Sequence, residues 1–436
     1  MTLLDSIRDA AQRMIAQREL DALMRTCRHL LSAQGEANSA GLAAKAIEHY
    51  RRLPEAAHLT FFQGLASGFN PDPTAVLSAA ERYAASPTAE HLVNLFNVSE
   101  PPRQELLRRL NRAPGGTAAI VQLRRTLLKA LVHHAELVAV EADLLHLLSS
   151  WFNPGFLEMQ QVDWASPARL LEKFIQHEAV HAIDGWDDLR LRLQPDRRCF
   201  AFFHPQLPGE PLIFVEVALL EEVPPAVGPL IEKKSEPEIS RRFKVAAFYS
   251  ISNCQPGLRG VSLGNFLIKR VAERLKTEFP SIKTFCTLSP IPGFVHWLDA
   301  DAEATAVRLK APLRERWELA RKELKLGTGR MHDRLEQQWH PWRIPEEQQK
   351  ALLALASIYL REFAPLPEGD AVAKFHLNNG ARLQRINWAA DLSRNGLRQS
   401  CGLMVNYLYD LERVEEYHQR FLDGVVVHSQ AVARLA

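Results

Sequence analysis

Several places in the chain put chemistry-bearing residues at informative spacings. His177-Glu178-Ala179-Val180-His181 matches His-Glu-x-x-His. On a helix that spacing sets two imidazoles on one face beside a glutamate, as a zinc hydrolase needs, together with a third ligand and an open position. The extended motif would carry glycine three positions after the second histidine. Asp184 stands there and Gly185 is one off, although Asp187 falls at the third-ligand position. Only His, Glu and His are fixed in the pattern, so the segment reads as a helix end at a domain boundary. Zinc hydrolysis by His177, Glu178 and His181 is the weaker alternative.

The second place is Gln255-Pro-Gly-Leu-Arg-Gly-Val-Ser-Leu-Gly264. It lies between an apolar strand, Val245 to Tyr249, closed by a turn over Ser250 to Asn253, and a helix from Asn265 to Phe279. Glycines let a backbone approach an anion, N–H groups converge on it, and a helix N-terminus adds a favourable dipole, which together make a phosphate cradle. The loop lacks the Lys-Ser/Thr of a P-loop, and no acid stands where a dinucleotide-binding unit wants one, so a plain connector stays open. A second strand, Lys283 to Leu288, then leads into Ser289-Pro-Ile-Pro-Gly-Phe294, whose prolines and glycine fix the path after Ser289. Farther on, Phe375 to Trp388 and Ser400 to Tyr409 interleave His376, Asn378, Asn379, Arg385, Asn387 and Asn406 with apolar residues. Single histidines are usually structural, so that stretch alone decides nothing about His376.

The elements that must position these residues fall into two textures. Up to about residue 188 apolar residues recur at three- and four-residue spacing, predicting helices over Leu3 to Leu31, Leu42 to Leu53, Val76 to Ala85 and Glu90 to Phe96. The pattern continues through Glu105 to Leu110, Thr117 to Leu131, Leu137 to Trp151 and Pro167 to Val180, with no fixed repeat period. From 189 to 436 the texture is mixed. Arg198 to His204 and Leu212 to Leu220 read as strands of a hairpin, and Glu221 to Ser240 as a polar insertion. Leu309 to Trp339 reads as a charged, solvated helical face.

The chain has 436 residues, 47% hydrophobic and 24% charged, with a formal net charge of +2. That composition suits a soluble globular protein of two or three domains and gives no electrostatic case for nucleic acid. No apolar run is long enough for a membrane span, and the charged opening residues lack the core of a signal peptide. Cys27, Cys199, Cys254, Cys286 and Cys401 form neither metal-ligand spacing nor a disulfide framework, so a reducing, cytoplasmic location is expected.

Taken together, Arg197-Arg-Cys199, Pro208-Gly-Glu-Pro-Leu212 and Gln255-x-Gly-Leu-x-Gly-Val-x-Leu-Gly-x-Phe-Leu-Ile-Lys-Arg270 resemble the malonyl-CoA decarboxylase family. So do Leu288-Ser-Pro-Ile-Pro-Gly-Phe294, Phe375-His-Leu-x-Asn-Gly380, Arg385-Ile-Asn-Trp388 and Ser400-Cys-Gly-Leu-Met404. Glu178-Ala-Val-His181 also fits the family's pattern, which makes the zinc motif a coincidence. The resemblance is dense from about 178 to 410 and looser before that. It implies an α+β chain: an all-helical N-terminal bundle (1–188) supporting a homo-oligomer, dimer or tetramer, then an acetyltransferase-like (GNAT) catalytic domain (189–436). It implies conversion of malonyl-CoA to acetyl-CoA and carbon dioxide without metal or organic cofactor. Carried across residue by residue, the coenzyme A loop is Arg259, Gly260, Val261, Ser262, Leu263, Gly264 and Asn265. The active-site serine is Ser289, the active-site histidine His376, and Tyr409 matches a tyrosine near the site, grouped with the substrate- and coenzyme A-binding residues. Ser262 stands where relatives can carry an acid.

Decarboxylating a malonyl thioester leaves an enolate with its charge largely on the thioester oxygen. Donors aimed at that oxygen, a dry pocket and a proton donor for the new methyl group are needed. His376, with a pKa near operating pH, is expected to supply the proton, and Ser289 to hold the carboxylate or thioester. An acyl-CoA acyltransferase of the same fold, needing an acceptor, and a non-catalytic coenzyme A-binding regulator are the competing readings.

Overall fold

The computed structural model describes residues 3–178, 180–232, 243–261, 263, 267–300, 302–326, 330–336 and 339–436. The chain forms two compact units. One comprises residues 1–158, 203–211 and 255–262, and the other 159–202, 212–254 and 263–436.

The first unit is helical. Leu3–Leu31, Ser39–Arg52, Pro73–Ala85, Ala89–Ser99, Pro102–Asn111, Gly116–Ala130 and Val138–Trp151 form where the apolar spacing predicts them. Their stripes meet in a core that includes Leu23, Leu30, Leu106, Leu127, Leu144 and Leu148. Starts are marked by side-chain caps: Asp72 accepts from the Thr74 N–H and Thr88 from the His91 N–H. The helix Glu55–Gly68 was not expected from the periodicity. It buries Ala57, Phe61, Phe62 and Leu65 and mixes them with small residues, so it shows little amphipathic pattern.

The second unit is built on a sheet. Its strands are β1 (Glu158–Val162), β2 (Arg197–Phe203), β3 (Ile213–Leu220), β4 (Val245–Asn253), β5 (Thr284–Thr287), β6 (Ser289–Pro290), β7 (Arg382–Asn387) and β8 (Met404–Tyr409). The order is β1-β2-β3-β4-β5-β8-β6, with β7 also paired to β8. β2 and β3 form the expected antiparallel hairpin, and β4 runs antiparallel to β3. β4 pairs parallel with β5, a geometry that requires a crossover, here the glycine loop and the helix Leu267–Glu278. That helix buries Leu267, Ile268, Val271, Ala272 and Leu275 on one face and leaves charge on the other.

Two expectations change. Ser250 to Asn253 is not a turn: β4 continues to Asn253, with its register shifting against β3 at Glu216/Val217. A bulge absorbs the extra residue while Ser250 and Ser252 stay buried as ligands of a carboxylate. The helix ending the first texture is Ala168–His177, shorter than predicted.

Candidate active site

The helix end at His177 decides the first motif. Glu178 takes extended backbone (φ −64°, ψ 109°), so the two histidines do not share a helical face. The Glu178 carboxylate is buried and accepts from the Val180 and His181 N–H groups at 2.8 Å each. It also accepts from the hydroxyls of Ser250 at 2.7 Å and Ser252 at 3.0 Å. Burial alone would push its pKa up. Hydrogen bonds from Glu216, the His181 backbone and Ser250 outweigh that and hold it below the usual carboxylate range. His181 is buried whereas Asp187 is exposed. Among the described residues no cluster of His, Cys, Asp and Glu has the form of a metal site. Glu178 joins the segment after the helix to β4, both within the second unit.

In the glycine loop, Pro256–Leu258 forms one short turn, and Arg259, Gly260, Val261 and Leu263 follow it. Ser262, Gly264 and Asn265 lie outside the described residues. Within the first unit the stem of the loop is anchored by Arg124, which is 1% exposed. Its Nη1 and Nη2 donate to the carbonyls of Gly257 and Arg259 at 2.7 Å each. Nε and Nη2 grip the Glu141 carboxylate at 3.0 and 2.6 Å. A Cβ on Gly257 would lie 2.0 Å from the Val121 carbonyl oxygen, so only glycine lets the stem sit there. Gly260 has φ +84° and Val261 is buried.

Within the second unit, Ser289 and His376 meet. β5 and β6 both pair with β8, Phe285 opposite Tyr409 and Ser289 opposite Val405. Thr287 and Ser289 are two residues apart and so face the same side, as do Tyr407 and Tyr409. The helix Ala371–Asn378 carries His376 to them. Ser289 Oγ lies 2.9 Å from His376 Nε2 and 2.9 Å from Thr287 Oγ1. His376 Nδ1 lies 2.9 Å from the Tyr409 hydroxyl. The Tyr407 ring stacks on the imidazole with centroids 4.8 Å apart and planes 27° apart. Thr287, Ser289, His376, Tyr407 and Tyr409 are all buried.

Desolvation sets the charge states. Burial pushes His376 down to about 3, so its ring is neutral near pH 7, contrary to the expected pKa near operating pH. Burial raises Tyr409 well above its usual value, so it is a neutral phenol and a donor. One tautomer satisfies all the groups: Tyr409 O–H donates to Nδ1, Nε2–H donates to Ser289 Oγ, and Ser289 O–H donates to Thr287 Oγ1. The other tautomer would leave the Tyr409 hydrogen without an acceptor among the described residues. Tyr409, assigned to the substrate by resemblance, has its hydroxyl on the ring nitrogen of His376 opposite Ser289.

Thr287 and Tyr407 were missed by sequence reasoning, although each is two residues from a recognised site residue on the same strand face. Asn387 and Asn406 prove to be struts. Asn406 donates to the Thr287 carbonyl at 2.9 Å and accepts from Asn387 at 2.8 Å. Arg385 ties β7 to the carbonyls of Val223 and Pro224 at 3.1 Å each.

Comparisons with known proteins bear on the family of the chain. Residues 155–436 match the malonyl-CoA decarboxylase C-terminal domain, and 69–152 match the malonyl-CoA decarboxylase N-terminal domain. The mitochondrial malonyl-CoA decarboxylase of Mus musculus is 35% identical over 91% of this chain and 86% of its own length. That of Rattus norvegicus is 36% identical over 85% of this chain and 80% of its own. The crystal structure of malonyl-CoA decarboxylase from Rhodopseudomonas palustris has a TM-score of 0.81 and 43% identity, covering 95% of this chain and 99% of that one. The Agrobacterium vitis structure gives 0.80 and 41% over the same shares, 95% and 99%. With family profiles matching 155–436 and 69–152, and relatives about 35% identical over most of the chain, the chain belongs to the malonyl-CoA decarboxylase family.

Proposed function

We propose that Ser289, His376 and Tyr409 act as one proton relay in the decarboxylation of malonyl-CoA. As a member of its family the chain is a carboxy-lyase, yielding acetyl-CoA and carbon dioxide. One observation carries the relay: the buried Ser289–His376 hydrogen bond of 2.9 Å, backed by Tyr409 at 2.9 Å on the opposite ring nitrogen. When the bond from the α-carbon to the carboxylate breaks, its electron pair moves into the thioester carbonyl and carbon dioxide leaves. The enolate's α-carbon then takes the Ser289 hydroxyl proton, Ser289 Oγ takes the proton on His376 Nε2, and Nδ1 takes the Tyr409 proton. Once the products leave, Tyr409 takes its proton back from Nδ1, Nε2 takes the Ser289 proton and Ser289 Oγ takes one from water, which restores the starting tautomer. The balance is one proton consumed per turnover, as loss of carbon dioxide from a carboxylate demands. A neutral imidazole working as a hydrogen-bond donor is an established catalytic pattern.

In this reading the Arg259–Asn265 loop holds the coenzyme A phosphates, and no metal or organic cofactor takes part. A strand, a glycine loop, a helix and a parallel strand in succession support an acetyltransferase-like (GNAT) catalytic domain. The division into a helical domain (1–188) and a catalytic domain (189–436), and assembly into a homo-oligomer through the former, belong to the same proposal. Buried free thiols suit a reducing compartment. We keep the cytoplasm, although the mouse and rat relatives are mitochondrial by name. No helix among the described residues is long and apolar enough to cross a membrane.

Incubation with malonyl-CoA alone tests the function. Carbon dioxide and acetyl-CoA are expected in equal amounts without any acceptor, and unchanged by chelators. An acyltransferase would need an acceptor, and a zinc hydrolase would lose activity to chelation. The loop reading has its own test in Arg124→Lys, which keeps the charge facing Glu141 but loses the fork that holds two carbonyls. KM for malonyl-CoA is expected to rise about tenfold, for one to two lost hydrogen bonds, with kcat little changed. A falling kcat at constant KM would detach the loop from coenzyme A binding.

A further inference from the structure

Ser289 and His376 lie 87 residues apart, and their 2.9 Å contact depends on how two backbone segments are held against each other. We propose that Asp370 is the positioning residue that holds them, fastening the segment after Ser289 to the start of the helix that carries His376.

Asp370 is 2% exposed and divides its carboxylate between the two segments. Oδ1 accepts from the Val372 and Ala373 N–H groups at 3.0 Å each, capping the helix Ala371–Asn378. Oδ2 accepts from the Gly293 N–H at 2.9 Å, at the end of the rigid Ser289-Pro-Ile-Pro-Gly293 run. One side chain therefore sets both the origin of the histidine's helix and the exit of the serine's turn. Gly293 has little room to shift: a Cβ there would lie 2.4 Å from the Tyr359 hydroxyl and 3.3 Å from Asp370 Oδ2. Gly293 and Asp370 also border a cavity of about 550 Å³ with Trp297 and Tyr359, which leaves space for the two segments to part once the clamp is lost. A displacement of about 1 Å between reacting groups costs on the order of 10²-fold in rate. This inference rests on the reading of Ser289 and His376 as the reacting pair.

Asp370→Ser separates capping from clamping. Serine is as good a cap as aspartate, but its hydroxyl is too short to reach Gly293 as well. Its lost volume opens onto the existing cavity. The expected result is a kcat lower by about 10- to 100-fold, KM for malonyl-CoA within about twofold, and a melting temperature within about 4 °C of wild type. Asp370→Asn keeps the side-chain length but has one acceptor oxygen, so its NH2 group meets an N–H at Gly293 or at the cap, and a kcat as low as that of Asp370→Ser is expected. Wild-type kcat in either variant overturns the clamp, as does a loss in which kcat and melting temperature fall together. Ser289→Ala, run alongside, tells the two failures apart. Full turnover there defeats the reacting pair and the clamp with it, whereas lost turnover there beside full activity in Asp370→Ser defeats the clamp alone.

Discussion

His376→Asn is expected to lower kcat by on the order of 10²-fold or more, with KM for malonyl-CoA changed far less. The imidazole is buried between Ser289 and Tyr409, at 2.9 Å from each, and among the described residues it alone connects the phenol to the serine hydroxyl. An asparagine can donate to one neighbour but cannot pass a proton between two. Near-normal turnover would remove His376 from the mechanism. Wild-type enzyme adds a second readout. Because burial holds His376 near about 3, kcat/KM should show no inflection from this residue between pH 5 and 8. If an imidazolium in the free enzyme were the reactive form, kcat/KM would instead fall tenfold per pH unit throughout that range.

The same depressed pKa has a stability consequence whose sign follows from linkage. The unfolded chain binds a proton at His376 near its ordinary 6.5, while the folded chain resists it down to about 3. Folding stability is therefore complete above pH 6.5 and falls as pH drops toward 3, by about 1.4 kcal/mol per pH unit from this group. His376→Asn should flatten that part of the acid limb in denaturant titrations.

What the sequence made legible follows the range of each interaction. Helices such as Gly116–Ala130 and strands such as β3 were visible because burial of one face writes a period into neighbouring residues. β1, Glu-Met-Gln-Gln-Val at the sheet edge, was absorbed into the helical region because its mostly exposed residues write no such period. Ser289 and His376 were found through resemblance; neither the proline-rich turn nor the polar stretch distinguished them from structural residues. Their charge states were not legible at all. The neutrality of His376 depends on enclosure by Tyr407, Tyr409 and Ser289, which come from strands distant in sequence. Arg124 is a similar case: on its helix it reads as one of many surface arginines, and only the fold reveals it beneath the glycine loop, 133 residues away.

Tyr409→Phe bears most directly on how the pair works. The change removes one oxygen and leaves the ring in place on β8, so packing is nearly conserved. His376 Nδ1 loses its only described donor, and the tautomer that points Nε2–H at Ser289 is no longer enforced. Where a histidine elsewhere loses the partner that fixes its tautomer, turnover falls by about 10⁴-fold with geometry intact. A neutral phenol holds the ring less strongly than a buried carboxylate does, so a fall in kcat of about 10²-fold is expected here. KM should stay close to wild type if the phenol's work is done through the imidazole it touches. A substrate-binding tyrosine, as the family resemblance assigns, would give the opposite split, with KM raised and kcat kept. Steady-state kinetics on Tyr409→Phe decides between them: unchanged kcat with raised KM would end the relay at His376 and return Tyr409 to the substrate.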